Sequence, residues 1–292
     1  MARPAKLEVA ALSIRIQNDK PRDYTGLILD ICGLKTGMRI HGEKYLALSN
    51  FNEESGFGRL AKYSEIDVDG DWFDIEAFDV ADPESVEDVS IPEKLRPNLA
   101  IFEFFLDRDN HLLIFETYAD SKTLSANSVE KFFKAILSKE EIESKYGKVE
   151  ADVVKSIDEV DKILSLPMLK ELTVSIRRPN SDGLPEDVAA DIEERLAEQN
   201  GEEYVEGLKS RDHDGLKPNE RTKKLAYVAS ENGDVSAKSV KNGISVWHET
   251  KEKPMKEMDT YSKDDTHTTT VFRRLTERIR GRILAVRKRI TE

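Results

Sequence analysis

The stretch NLAIFEFFLDRDNHLLIFETY, residues 98–118, sets the strongest limit on what this chain can become. Two runs rich in Phe, Ile and Leu flank the polar turn Asp107–Asn110, the pattern of a β-hairpin. Along the first run Ile101, Glu103 and Phe105 alternate with Phe102, Phe104 and Leu106, so both faces are largely apolar. Strands of that kind are covered on both sides, which puts the hairpin near the middle of a sheet. With 292 residues the chain makes one large or two medium domains.

The segments around the hairpin read as α+β. LEVAALSIRI (7–16) is a strand with one irregularity, and Tyr24, Leu27, Ile28 and Ile31 have helical spacing, with Gly33 as the stop. Cys32 at the end of that helix is a packed small hydrophobe. Short strands are expected from Met38 to Phe78, with GFG (56–58) as a turn, and an acidic loop at 79–90. SANSVEKFFKAIL (125–137) is a helix that Asn127 caps, with Glu130 three residues on. The polar joint 138–147 marks a domain boundary, between an N-terminal domain at 1–140 and a second, smaller α/β domain at 147–266. In the second domain KVEADVV, SIDEVDKILSL and LKELTVSIR read as βαβ, and 184–199 as a helix with Pro185 in its first turn. KLAYVAS and ISVWHET are expected strands, while 200–222 and 248–266 are expected to be polar, mobile loops. Trp72 and Trp247 are expected at core or edge positions.

Composition removes several classes. No apolar run approaches the roughly 20 residues of a membrane span. Residues 1–20 lack the apolar core of about 7–15 residues that a signal peptide needs. A single cysteine excludes an intrachain disulfide framework. The simplest expectation is a cytoplasmic protein. The net charge of −12 repels nucleic acid on average, so any such binding must come from a local basic patch.

One such patch stands out. Residues 271–290 carry eight basic residues and one acidic residue, net +7, which leaves −19 on the rest of the chain. At about 100° per residue, Phe272, Leu275, Ile279, Ile283, Val286 and Ile290 fall within an arc of roughly 80°. Thr270 can cap this helix, residues 267–292, which either completes the second domain or returns to the first. Three readings follow. The arginines can balance the acidic body and the helix dipole, the stripe can dock while Arg273, Arg274, Arg280, Arg287 and Lys288 face phosphate, or the helix can lie on a membrane surface, which its narrow apolar arc and lack of Trp disfavour. Arg177, Arg178, Lys223, Lys224, Lys238 and Lys241 stand at expected strand ends or turns and would form a groove wall with that helix if they converge. The stripe also suits a dimer seam.

Other chemistry is thin. DVDGDWFDIE (67–76) lacks the glycine at position six of a calcium loop and reads as a solvated turn. Glu116, Asp120 and Lys122 in FETYADSK offer the carboxylates and lysine of a metal-dependent nuclease. The five histidines show no zinc spacing, and no phosphate loop or nucleophile elbow is present.

SIPEKLRPNLAIFEFFLD, LLIFETYADSKTLSANSVEKFFKAIL and KILSLPMLKELTVSIRRPN together resemble an uncharacterised domain-of-unknown-function family of bacterial and phage proteins, over roughly residues 8–180. That resemblance carries no established catalytic residue. FETYADSKTLSANSVEKFF, KVEADVV, DKILSL and LTVSIRRP are also similar in order and pattern to the RexA proteins of phage-lambda exclusion. The likeness implies a homodimer that grips double-stranded DNA without sequence preference and reports phage infection.

The expectation is therefore an antiparallel sheet with packed helices, a smaller α/β domain and a basic C-terminal helix. Its function would be non-catalytic, sequence-tolerant DNA binding in a phage-defence or exclusion system. No cofactor is expected, and double-stranded DNA, a second copy and an effector protein are the partners. A metal-dependent nuclease and a protein-interaction module are the rivals.

Overall fold

The computed structural model describes residues 4–16, 22–87, 89–177, 186–211 and 214–291, with backbone alone at 186–190 and 291. Strand β1 (Ala5–Ile16) leads to helix α1 (Tyr24–Gly33) and the meander β2 (Met38–His41), β3 (Lys44–Phe51) and β4 (Phe57–Ser64). An excursion carries the small hairpin β5 (Phe73–Asp74) and β6 (Asp79–Val80) and the single turn α2 (Pro83–Val86). The chain re-enters the sheet as β7 (Ala100–Asp107) and β8 (Leu112–Ala119), then β9 (Lys122–Thr123), α3 (Ala126–Leu137) and α4 (Glu140–Tyr146). The second half runs β10 (Val149–Val153), α5 (Ile157–Leu164), β11 (Leu169–Arg177), α6 (Glu186–Glu198), β12 (Glu203–Lys209) and α7 (Glu220–Asn232). It ends with β13 (Gly233–Lys241), β14 (Ile244–Glu249), β15 (Lys256–Tyr261) and α8 (Thr268–Thr291).

The fold is α+β, built on a large antiparallel sheet in the order β10-β1-β8-β7-β4-β3-β2. β15 also pairs with β1, and β9 with β8. The apolar hairpin lies near its centre, as its two greasy faces require. Leu7, Val9 and Ala11 of β1 face one core, and Ala10, Leu12, Ile14 and Ile16 face the other. The irregularity in β1 is a register shift between Glu8 and Val9. One core is closed by α1 and α3, the other by α7, α8 and a second antiparallel sheet, β12-β11-β13-β14. In the GFG turn Gly56 has φ +73°, and a Cβ on Gly58 would collide with the Phe104 ring.

Several expectations change. β10 and β15 lie beyond the 138–147 joint and still pair with β1, so the large sheet draws on both sides of that boundary. β10 and β11 occupy different sheets, so the βαβ reading fails: the free edge of β1 takes β10. KLAYVAS is helical, inside α7. Asn219 caps that helix by accepting from Thr222 N (2.9 Å), and Leu225, Ala226, Val228 and Ala229 all turn inward. The polar loops at 200–222 and 248–266 contain β12 and β15, in which three of seven and three of six residues are charged. α3 is capped by Ser125, which accepts from Ser128 N (3.1 Å); the Asn127 amide instead donates to Glu252 (2.7 Å). Trp247 stands on edge strand β14. Pro185 lies outside the described residues.

Candidate functional site

Helix α8 buries all six residues of its predicted stripe against β1 and β15, each 6% exposed or less. Side chains of that size contribute about 1.5–3 kcal/mol each when fully buried, which holds the helix firmly on the sheet. Its cations then meet the protein's own carboxylates. Arg274 pairs with Asp259 (2.6 Å), Arg280 with Asp107 (3.1 Å), and Arg282 with Glu257 (2.7 Å) and Asp158 (2.9 Å). Arg278 reaches Glu257 and Asp259 (3.6 and 3.7 Å). Arg287 is the most enclosed. It grips Glu231 of α7 through two nitrogens (2.7 and 3.0 Å) and donates to Asn110 O (3.1 Å). Burial works against the Arg287 charge, and Glu231 more than restores it, so its pKa lies above the ordinary value. Arg273 lies over the Phe57 ring at 5.0 Å, and Lys288 is exposed.

The expected groove wall does not assemble. Arg177 donates to Asp152 (2.6 and 3.0 Å) in a buried cluster with Arg15 and Lys134. Burial alone would raise the Asp152 pKa; Arg15, Arg177 and Lys134 outweigh it and hold the carboxyl well below its usual range. Lys223 pairs with Glu220 (2.7 Å), and Lys224 is half-buried on α7. Lys238 sits between Glu171 (3.6 Å) and the Trp247 ring (5.6 Å). Lys241 is exposed at the β13–β14 turn. β11 and β13 run antiparallel, with Ile176 opposite Gly233 and Leu169 opposite Ser239. Arg177 and Lys241 therefore stand at opposite ends of the sheet, about 30 Å apart at about 3.3 Å per residue. Arg178 lies outside the described residues.

The nuclease carboxylates are likewise separated in role. Glu116 is 3% exposed and accepts the Glu103 N–H (2.8 Å) just beyond the Phe104–Phe115 pair at the end of the β7–β8 ladder. Burial, with the nearby Glu103 and Asp120 charges, pushes its pKa up to about 8 despite that hydrogen bond. Asp120 is exposed and paired with Lys263. Among the described residues no three His, Cys, Asp or Glu side chains gather as a metal site.

A different basic cluster emerges where the edge strands meet α3. A pocket of about 390 Å³ is lined by His41, Lys44, Lys62, Lys131, Ser125 and Ser128, among others, and no Asp or Glu lines it. Strand pairing builds it: Lys44 lies opposite Ser64, and Lys62 opposite Leu46 on the adjoining strand. Lys131 anchors on Ile40 O (2.9 Å), and Lys62 on Thr123 O. Each ammonium has three donors, so each keeps others for the pocket. The first turn of the twelve-residue α3 adds the positive end of its dipole. Burial and the charges of Lys44 and Lys122 all push the Lys62 pKa down. Cations here repel one another, and among the described residues none of Lys44, Lys62, Lys122 and Lys131 has a carboxylate at ion-pair distance. These lysines span 87 positions of sequence with no local motif; the register of β3 and β4 joins Lys44 and Lys62, and β9 and α3 add Lys122 and Lys131.

Among the described residues no helix is long and apolar enough to cross a membrane. Residues 5–277, from β1 into α8, match the family described as a domain of unknown function (DUF4747). No curated protein matches the chain.

Proposed function

The chain belongs to this uncharacterised family, to which no chemistry is attached, and from its own surface we propose that it is a non-catalytic binding protein for a phosphate-bearing polyanion, DNA in the first instance. The contact is the pocket of Lys44, Lys62 and Lys131, with Lys122 beside it. One observation carries the reading: Lys62 lies among the like charges of Lys44 and Lys122, Lys131 lines the same pocket, and among the described residues none of the four has a carboxylate at ion-pair distance, in a chain of net charge −12. Phosphate oxygens would relieve that repulsion and release counterions. Contacts of this kind carry no base information, so the binding is sequence-tolerant. The arginines of α8 act as internal fasteners in this reading, and the apolar stripe, buried against β1 and β15, leaves no seam for a dimer.

The test is fluorescence anisotropy with a labelled DNA duplex at ~50 mM and ~200 mM salt. Four contacts predict a fall of log K with log salt of slope about −3.6. Lys44→Glu with Lys122→Glu, both exposed, should weaken binding at least tenfold. Arg274→Glu should leave it within about twofold, since that arginine already holds Asp259. No binding at ~50 mM salt, or equal affinity for the double lysine variant, overturns the proposal.

A further inference from the structure

Between β4 and β7, which are neighbours in the sheet, the chain leaves the body of the molecule from Glu65 to Leu99. This arm exposes large apolar side chains: Ile75 and Phe78 are 83% and 81% accessible, and Phe73 and Val80 57% and 64%. Its shape is held by its own bonds. Phe73 pairs with Val80 across the β5–β6 ladder, and Asp74 accepts from the Glu76 and Ala77 N–H groups (2.7 and 3.0 Å). Ala81 N donates to Trp72 O (2.8 Å), and the Trp72 indole donates to Val68 O (3.1 Å). Phe78 takes φ +55°, a left-handed conformation that bulky residues seldom adopt, and its ring meets Phe73 edge-on at 5.2 Å. The aromatic pair is thus presented outward on a preorganised turn.

The surroundings of that patch are acidic. Residues 65–99 hold twelve Asp and Glu against Lys94 and Arg96, net −10 of the chain's −12. Arg96 is already paired with Glu65 (3.1 Å). Contiguous exposed apolar groups rimmed by charge mark interaction surfaces. The charge selects among occupants. Nucleic acid and anionic membrane are repelled. A second copy of this chain offers a poor match, because its own basic amphipathic helix has its apolar stripe buried at home.

We propose that the arm docks a protein partner through a basic amphipathic segment, with apolar side chains set on Phe73, Ile75, Phe78 and Val80 and Lys or Arg groups against the flanking carboxylates. The full chain would be titrated with three labelled synthetic peptides: a Leu/Lys amphipathic helix, its Leu/Glu counterpart, and a Lys/Ser peptide of equal charge. The Leu/Lys helix should bind at least tenfold tighter than either of the others. Ile75→Ser with Phe78→Ser, both surface changes, should remove at least tenfold of that affinity, and circular dichroism should confirm the retained fold. Equal binding of the Leu/Glu or Lys/Ser peptide overturns the proposal, as does indifference to the serine substitutions. Sedimentation equilibrium supplies the last arm: self-association that those substitutions abolish would assign the patch to a second copy instead.

Discussion

Helix α8 has the denser positive charge, net +7 in twenty residues, whereas the pocket beside α3 is lined by three lysines from three elements, with Lys122 beside it. The two regions treat that charge in opposite ways. On α8 the guanidinium groups of Arg274, Arg278, Arg280, Arg282 and Arg287 each face an Asp or Glu from another part of the fold or from the helix itself. In the pocket Lys62 feels the like charges of Lys44 and Lys122, and Lys62 and Lys131 donate to backbone carbonyls. Positive charge in a sequence therefore does not locate positive potential on a surface. What decides is whether folding brings a carboxylate to each cation, and helix docking did so for five arginines of α8, whereas the packing of β3, β4 and α3 did not for the pocket.

Breaking the most enclosed pair should have the largest effect. Arg287→Ala leaves Glu231 buried without its cation and should cost about 3–5 kcal/mol in urea unfolding; a loss under about 1 kcal/mol would mean α8 is held by its apolar stripe alone. Next comes Glu116, a buried carboxyl with no basic partner. Its folded pKa, about 8, lies above the ordinary value of 4.5, so the fold favours the protonated form. The stability this gives is present in full below the unfolded pKa and is lost as pH rises through about 8. Unfolding should thus become easier between pH ~5 and ~9, by on the order of 2–4 kcal/mol. Glu116→Gln should flatten that part of the profile; an unchanged profile would show that Glu116 is already ionised. The lysine comparison is sharpened by salt: Lys44→Glu with Lys122→Glu should reduce the DNA salt slope by about 1.8 as well as the affinity, while Arg274→Glu leaves the slope unchanged. The smallest effect is expected at the helix surface, where Arg282→Ala should shift stability by less than about 1 kcal/mol in the same urea assay.

The sequence made some of this legible and not the rest, for physical reasons. The hairpin at 98–118 announced itself because both its faces are apolar, and the α8 stripe because its period is helical over five turns. β1 was readable for the same cause, being buried on both sides. α7 misled, since LAYV is a short apolar run that passes for a buried strand when Asn219 is not recognised as a cap. β12 and β15 were hidden by their polarity: three of seven and three of six residues are charged. As for function, the basic helix was visible and its carboxylate partners were not, because Asp107, Glu231 and Glu257 are up to 173 positions away from the arginines they meet. The lysine pocket left no signal at all short of knowing that Lys62 lies opposite Leu46.

β1 meets β15 along Ala5–Ala10, β10 along Leu12–Ile16 and β8 on its other flank. A ribosome delivers this strand before all three neighbours, and the last of them some 250 residues later. Until then a twelve-residue ribbon, greasy on both sides, must wait with one edge half unpaired. Such distant closures slow folding and expose sticky intermediates. Nascent chains halted before β15 emerges should accordingly be the ones that chaperones hold and proteases find.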